Sequence, residues 1–150
     1  MNDVLYSGEP DFPFCLIWAN ETWSRRWLGE ETEILIKEEY SPEDDIEHAY
    51  YLAKAFDNKR YIKINGRPVF TIYRPNDLHD ITATIDTIKS IALKQSGVEP
   101  FLIASNSHAM LDYPQLFQKG FDDIFNFRPQ LGVLPAAFSD GFNKERFMIL

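Results

Sequence analysis

A chain of 150 residues, 45% of them apolar, is long enough for one domain with a buried core and too apolar for a disordered tail. A formal net charge of −8 and a sequence pI near 4.8 exclude a basic phosphate-binding face, and with it nucleic acid or an anionic membrane surface as partner. The single cysteine, Cys15, excludes an internal disulfide, and inside an apolar strand it reads as a small buried hydrophobe rather than a nucleophile.

In chain order, residues 1–13 carry Gly8, Pro10 and Pro13 without periodicity and read as a loop. No basic, apolar leader precedes Asp11, and no apolar run approaches the roughly 18 residues of a membrane helix. No membrane insertion and a cytoplasmic location are therefore expected. Phe14 to Ala19 is an apolar strand that stops at Asn20 and Glu21, and Ser24 to Tyr40 is a long polar connection. Ser41-Pro42-Glu43-Asp44 is a helix start, with a hydroxyl N-cap, proline at the first helical position and acids in the first turn. Ile46, Ala49, Tyr50, Ala53 and Phe56 then share one helical face.

Tyr61 to Ile64 alternates, and Asn65-Gly66 is a hairpin turn signal. Pro68 to Tyr73 is a second apolar strand, closed by Arg74-Pro75. Asp80 or Thr82 caps a helix with the stripe Ile81, Ile85, Ile88 and Ala92, stopped at Gly97. Phe101 to Ala104 is a third strand, followed by Ser105, Asn106, Ser107 and His108. Tyr113 to Lys119 is a short helix closed by Gly120, and Asp123 to Phe127 a fourth strand ending at Asn126 and Arg128. The stretch from Pro129 to Leu150 reads as a loop and a helix start.

This alternation predicts an α/β fold with about four parallel strands and crossover helices. An open doubly wound sheet and a partial (β/α)₈ TIM barrel both fit the order. The lack of a Gly-rich dinucleotide fingerprint or phosphate loop after any strand weighs against the open nucleotide-binding sheet. Four strands are about half of a barrel, which takes ~250 residues.

In such folds, ligands gather where the carboxyl ends of the strands converge. Here those ends carry Asn20 and Glu21, then Tyr73 and Arg74, then Asn106 and His108, then Asn126 and Arg128. All three tryptophans, Trp18, Trp23 and Trp27, lie within ten residues beside Arg25 and Arg26. Indole faces suit the C–H faces of sugars, and carboxylates and amides suit their hydroxyls. Glu21 is the candidate acid, base or hydroxyl acceptor; the alternative is a loop carboxylate paired with Arg25 or Arg26. Trp18 sits inside the strand, where it could instead fill the barrel. Arg25 and Arg26 fit either an anionic group of the ligand or ion pairs with Glu30, Glu31 and Glu33. His48 lies in a helix and His79 in a loop, so no zinc spacing appears; neither a metal nor a cofactor is expected. No serine has a nucleophile-elbow setting.

The run Trp18-Ala19-Asn20-Glu21-Thr22-Trp23-Ser24-Arg25-Arg26-Trp27 resembles the W-A-N-E-x-W-x-R-R-W signature of the glycoside hydrolase family 99-like, WbsX-type proteins. Tyr40-Ser41-Pro42-Glu43-Asp44-Asp45-Ile46 is similar to that family's Y-S-P-E-D-D-I. Residues Tyr61 to Phe70 are similar to its Y-I-x-x-x-G-x-P-x-F, and Tyr73-Arg74-Pro75 and Gly120-Phe121-Asp122 match as well. The resemblance implies a (β/α)₈ barrel and a glycosyltransferase or glycoside hydrolase-like protein of bacterial O-antigen or other surface polysaccharide biosynthesis. In related hydrolases the catalytic pair is two glutamates three residues apart, and WbsX-type proteins carry a similar N-E-W-x-E-G segment near the barrel's end. No such segment occurs before Leu150, and Glu30 and Glu33 share only the spacing.

The expectation is a fragment, residues 1–150, of a single TIM-barrel domain that is inactive alone and takes an oligosaccharide or glycosyl donor. Asn20, Glu21, Trp23, Arg25, Arg26, Tyr73 and Arg74 would line the site, with Trp18, Trp27, Asn106 and His108 around them. The rival from another class is a non-catalytic carbohydrate-binding module. A third reading is a remnant without ligand, whose open sheet edges lead to self-association.

Overall fold

The computed structural model describes residues 2–21, 23–25, 30–36, 41–106 and 113–126. Asn2, Asp3, Tyr113 and the residues of the stretches 23–25 and 30–36 are described by backbone alone. The elements are α1 (Asn2–Ser7), β1 (Leu16–Trp18), β2 (Trp23–Arg25), β3 (Glu30–Ile36), α2 (Pro42–Phe56), β4 (Lys63–Ile64), β5 (Arg67–Ile72), α3 (Ile81–Ser96), β6 (Phe101–Asn106), α4 (Tyr113–Gln118) and β7 (Asp123–Asn126). A 3₁₀ turn, Pro75–Asp77, follows β5.

Four strands pair in parallel in the order β1-β5-β6-β7, so each strand lies beside the previous parallel strand in sequence. The order never reverses. A doubly wound sheet needs a reversal at its switch point, whereas strands laid down in one direction are consistent with part of a (β/α)₈ barrel. The helices share one side. Leu16, Phe70 and Leu102 are register partners, as are Ile72 and Ala104, and all five join one apolar cluster with Phe56 of α2, Ile85 and Ile88 of α3 and Leu116 of α4. Burying a side chain such as Phe56 or Ile85 contributes about 2 kcal/mol. Alternation puts Ile17, Val69, Thr71 and Ile103 on the opposite face.

Local chemistry sets the helix ends. Ser41 is the N-cap of α2: its Oγ accepts from Asp44 N at 3.1 Å and donates to the Asp44 carboxylate at 2.8 Å. Glu43, Asp44 and Asp45 occupy the first turn, where the helix dipole favours acids. Asp80, not Thr82, caps α3 by accepting from Ala83 N, and Gly97 ends it in the left-handed region at φ 74°. Thr84 Oγ1 donates to Asp45 Oδ2 at 2.6 Å and ties α3 to α2. Asn65 and Gly66, both at positive φ, turn β4 onto β5.

Two expectations are corrected. Residues 2–7 form α1 rather than loop, because Arg60 holds the carbonyls that follow and end it. Buried Arg60 donates to the carbonyls of Val4, Gly8 and Pro10, and Leu5 packs on the core. The polar connection after Ser24 contains an antiparallel hairpin, β2 with β3, separate from the main sheet; irregular register masks its period in the sequence. The stretch from Pro129 to Leu150 lies outside the described residues.

The amino-terminal rim is closed by side chains. Arg67 grips Asp122 with two hydrogen bonds, Nη1 to Oδ1 at 2.6 Å and Nη2 to Oδ2 at 2.7 Å, and Nη2 also donates to Pro100 O. Asp122 Oδ2 accepts from Leu102 N as well. Tyr61 Oη donates to Val69 O and accepts from Leu16 N, which joins β1 to β5; burial pushes its phenol far up. Among the described residues, no helix is long and apolar enough to cross a membrane.

Candidate functional site

Glu21, Arg74 and Asp77 meet at the carboxyl end of the first two parallel strands. Arg74 Nη1 donates to Glu21 Oε2 at 3.2 Å, and its Nε to Asp77 Oδ2 at 2.7 Å. The side chains of Glu21 and Arg74 are each about one-third exposed, 33% and 31%, so both remain within reach of a ligand. Glu21 Oε1 makes no hydrogen bond among the described residues, which leaves an acceptor beside a guanidinium. Such a pair can accept one sugar hydroxyl and donate to its neighbour.

Asn20 builds this corner. Fully buried, it donates from Nδ2 to Arg74 O at 2.8 Å and accepts from Arg74 N at 2.7 Å on Oδ1. Its side chain thus continues the ladder of β1 with β5 after the backbone register ends at Trp18↔Ile72, and Tyr73 N donates to Trp18 O just before it. Asn20 acts as a strut. Both of its amide groups are used on the backbone, so it orients Arg74 and, through it, Glu21.

The other two strand ends meet through Asn106 and Asn126, register partners in β6 and β7. Asn106 Nδ2 donates to Asn126 Oδ1 at 2.8 Å. All four parallel strands therefore bring polar side chains to the same end of the sheet. Tyr73 follows β5 directly before Arg74 and donates its backbone N–H to Trp18 O.

Trp18 sits elsewhere than a sugar-facing position. Its ring meets the His48 ring of α2 edge-on at 4.5 Å, and His48 also stands edge-on to Phe70 at 6.0 Å, so the indole belongs to the helix side of the sheet. Burial holds the His48 imidazole below its usual value, against an opposing pull from Asp45. Trp23 and Arg25 lie in β2 and are placed by backbone alone; Arg26, Trp27, His108 and Arg128 lie outside the described residues. Cys15 is half-buried beside the core, and burial pushes its thiol up, as befits an inert cysteine. Among the described residues no three His, Cys, Asp or Glu side chains converge as metal ligands would.

Asp77 and His48 emerge only from the structure. Asp77 carries a faint sequence signal, an acid three residues after Arg74 across a proline turn. His48 carries none, because its contact with Trp18 spans two elements.

These features define a parallel α/β protein with a polar rim at the carboxyl ends of its strands, the position at which barrel proteins hold ligands. The chain belongs to the family described as Glycosyltransferase WbsX, which matches residues 1–146. It is also 30% identical, over 131 residues, to proteins called "Uncharacterized protein WxcX" from two strains of Xanthomonas campestris pv. campestris, B100 and ATCC 33913. The matched region is 83% of this chain and 18% of each relative, so the chain spans about one-fifth of their length. No solved structure matches.

Proposed function

We propose that this chain is the sugar-handling part of a glycosyltransferase or glycoside hydrolase-like protein that builds a bacterial surface polysaccharide such as O-antigen, in the cytoplasm. The observation that carries the reading is the Glu21–Arg74 pair, hung on Asn20 at the carboxyl ends of adjacent parallel strands. The family membership supports a glycosyl group as ligand. Glu21 accepts ligand hydroxyls, Arg74 holds the carboxylate in place and donates beside it, and Asn20 fixes the two. Trp23, Arg25, Arg26, Trp27, Tyr73, Asn106 and His108 complete the rim in this reading.

The residues belong to one TIM-barrel domain. By itself the 150-residue chain binds without turnover in this reading, since glycoside hydrolysis of the usual kind needs two carboxyl groups flanking the bond, and both acids of this corner, Glu21 and Asp77, are tied to Arg74. Ile17 on β1, 56% exposed on the face away from the helices, supports self-association through that edge.

Tryptophan fluorescence titrated with methyl glycosides, alongside an assay for release from nitrophenyl glycosides, tests the proposal. The expected result is saturable binding that Glu21→Gln weakens about tenfold, the effect of losing one hydrogen bond to a charged group. Binding that Glu21→Gln leaves unchanged would remove Glu21 from the site. Turnover by the chain alone, abolished in Glu21→Gln, would overturn the binding-only assignment. A non-catalytic carbohydrate-binding module shares the titration result and differs in that no longer version of the chain turns over.

A further inference from the structure

One buried hydroxyl near this rim makes no hydrogen bond among the described residues. Leu102 and Ala104 pack against the helices, so alternation along β6 sends Ser105 to the opposite face of the sheet. Ser105 is register partner to Phe125 of β7. On its other side β5 ends at Ile72, the register partner of Ala104. Ser105 and Phe125 therefore lie one position before the Asn106–Asn126 pair.

Ser105 is 1% exposed, and its Oγ has no hydrogen-bond partner among the described residues. Buried hydroxyls are nearly always paired, because an unpaired one loses its water and gains nothing. A lone polar atom beside an aromatic position, at the ligand end of parallel strands, suits a ligand with hydroxyls on its edge and C–H groups on its face.

We propose that Ser105 is a sugar-binding residue whose Oγ forms a hydrogen bond with a hydroxyl of a pyranose, a role that rests on the sugar-site reading above. Since Oγ is closed off from solvent in the unliganded chain, the sugar must displace a neighbour of Ser105 to reach it.

The test pairs thermal melting with fluorescence titration on the full 150-residue chain. The probes are methyl glycosides of a neutral hexose, a 6-deoxyhexose and a hexuronic acid. Ser105→Ala is expected to melt no lower than the wild type and to bind the preferred glycoside about tenfold more weakly. Should Ser105→Ala fail to fold, Ser105→Cys keeps most of the shape with a weaker hydrogen-bonding atom, and a loss of binding is again expected. A variant that binds as well as the wild type overturns the role of Ser105 while leaving the site intact. A variant that melts lower with binding unchanged identifies a hydroxyl satisfied by internal water, and also overturns it. A wild-type chain that binds none of the three removes the sugar site and this role together.

Discussion

Asn20 and Arg74 exchange two hydrogen bonds across 54 positions of sequence, amide to carbonyl and backbone N–H to amide. The contact replaces a rung of backbone ladder at the point where β1 and β5 end, one residue before Glu21. Asn20→Ala leaves a part-buried N–H of Arg74 without that partner. We expect a loss of about 2 kcal/mol of stability in urea denaturation, with glycoside binding reduced as well. A loss under about 0.5 kcal/mol would mean that water restores the missing bonds and that Asn20 is no strut.

Arg74 behaves differently, because its ion pairs are partly exposed. Pairs of that kind contribute little to stability, about 0–1 kcal/mol. Arg74→Lys keeps the charge and loses the fork that spans Glu21 and Asp77. The expected outcome is a near-normal denaturation midpoint with glycoside affinity down about tenfold. Equal affinity in Arg74→Lys would show that charge alone, without the geometry, holds Glu21.

At the opposite rim, Arg67 and Asp122 perform no chemistry on a ligand. Asp122 accepts from Arg67 twice and from Leu102 N once, so it staples the starts of β5, β6 and β7. Asp122→Asn should cost about 2 kcal/mol of stability and leave glycoside affinity unchanged. A specific loss of affinity at full stability would place a ligand contact at the wrong end of the sheet.

His48 gives the stability a pH dependence of known sign. Burial against Trp18 and Phe70 lowers its folded pKa below the ordinary value near 6.5. As pH falls through 6.5, the unfolded chain takes up a proton that the folded chain refuses. Stability is therefore full above that pH and declines below it, with a slope bounded by about 1.4 kcal/mol per pH unit for one proton. Urea midpoints at pH 7.5 and 5.5 should diverge in the wild type and converge in His48→Phe, which retains an aromatic edge for Trp18. The same decline in both proteins would assign the effect to other groups.

Much of this architecture is legible in the sequence where a local rule governs it. Ser41-Pro42 and Asp80 mark helix starts, Asn65-Gly66 the hairpin and Gly97 a helix end, each through backbone chemistry confined to a few residues. Gly120-Phe121-Asp122 reads as a motif without a stated role. The structure separates it into a glycine at φ 103° where a Cβ would press on Ile85 and Lys89 at 3.3 Å, a core phenylalanine and the Arg67 staple. The face taken by Trp18 is not legible, since the residue between Ile17 and Ala19 can point to either side until α2 delivers His48. Nor is α1, a six-residue helix held by Arg60 from more than fifty positions away. Of the site, Asn20, Glu21 and Arg74 are found by the rule that ligands meet strand ends. Asp77 needs the turn geometry, and the strut role of Asn20 needs the coordinates.

A sheet assembled as β1-β5-β6-β7 suits a chain that leaves the ribosome amino-terminus first. β5, β6 and β7 each find the partner strand they dock on already synthesised when they emerge. The Glu21–Arg74 corner forms as soon as β5 has emerged, before β6 and β7 exist.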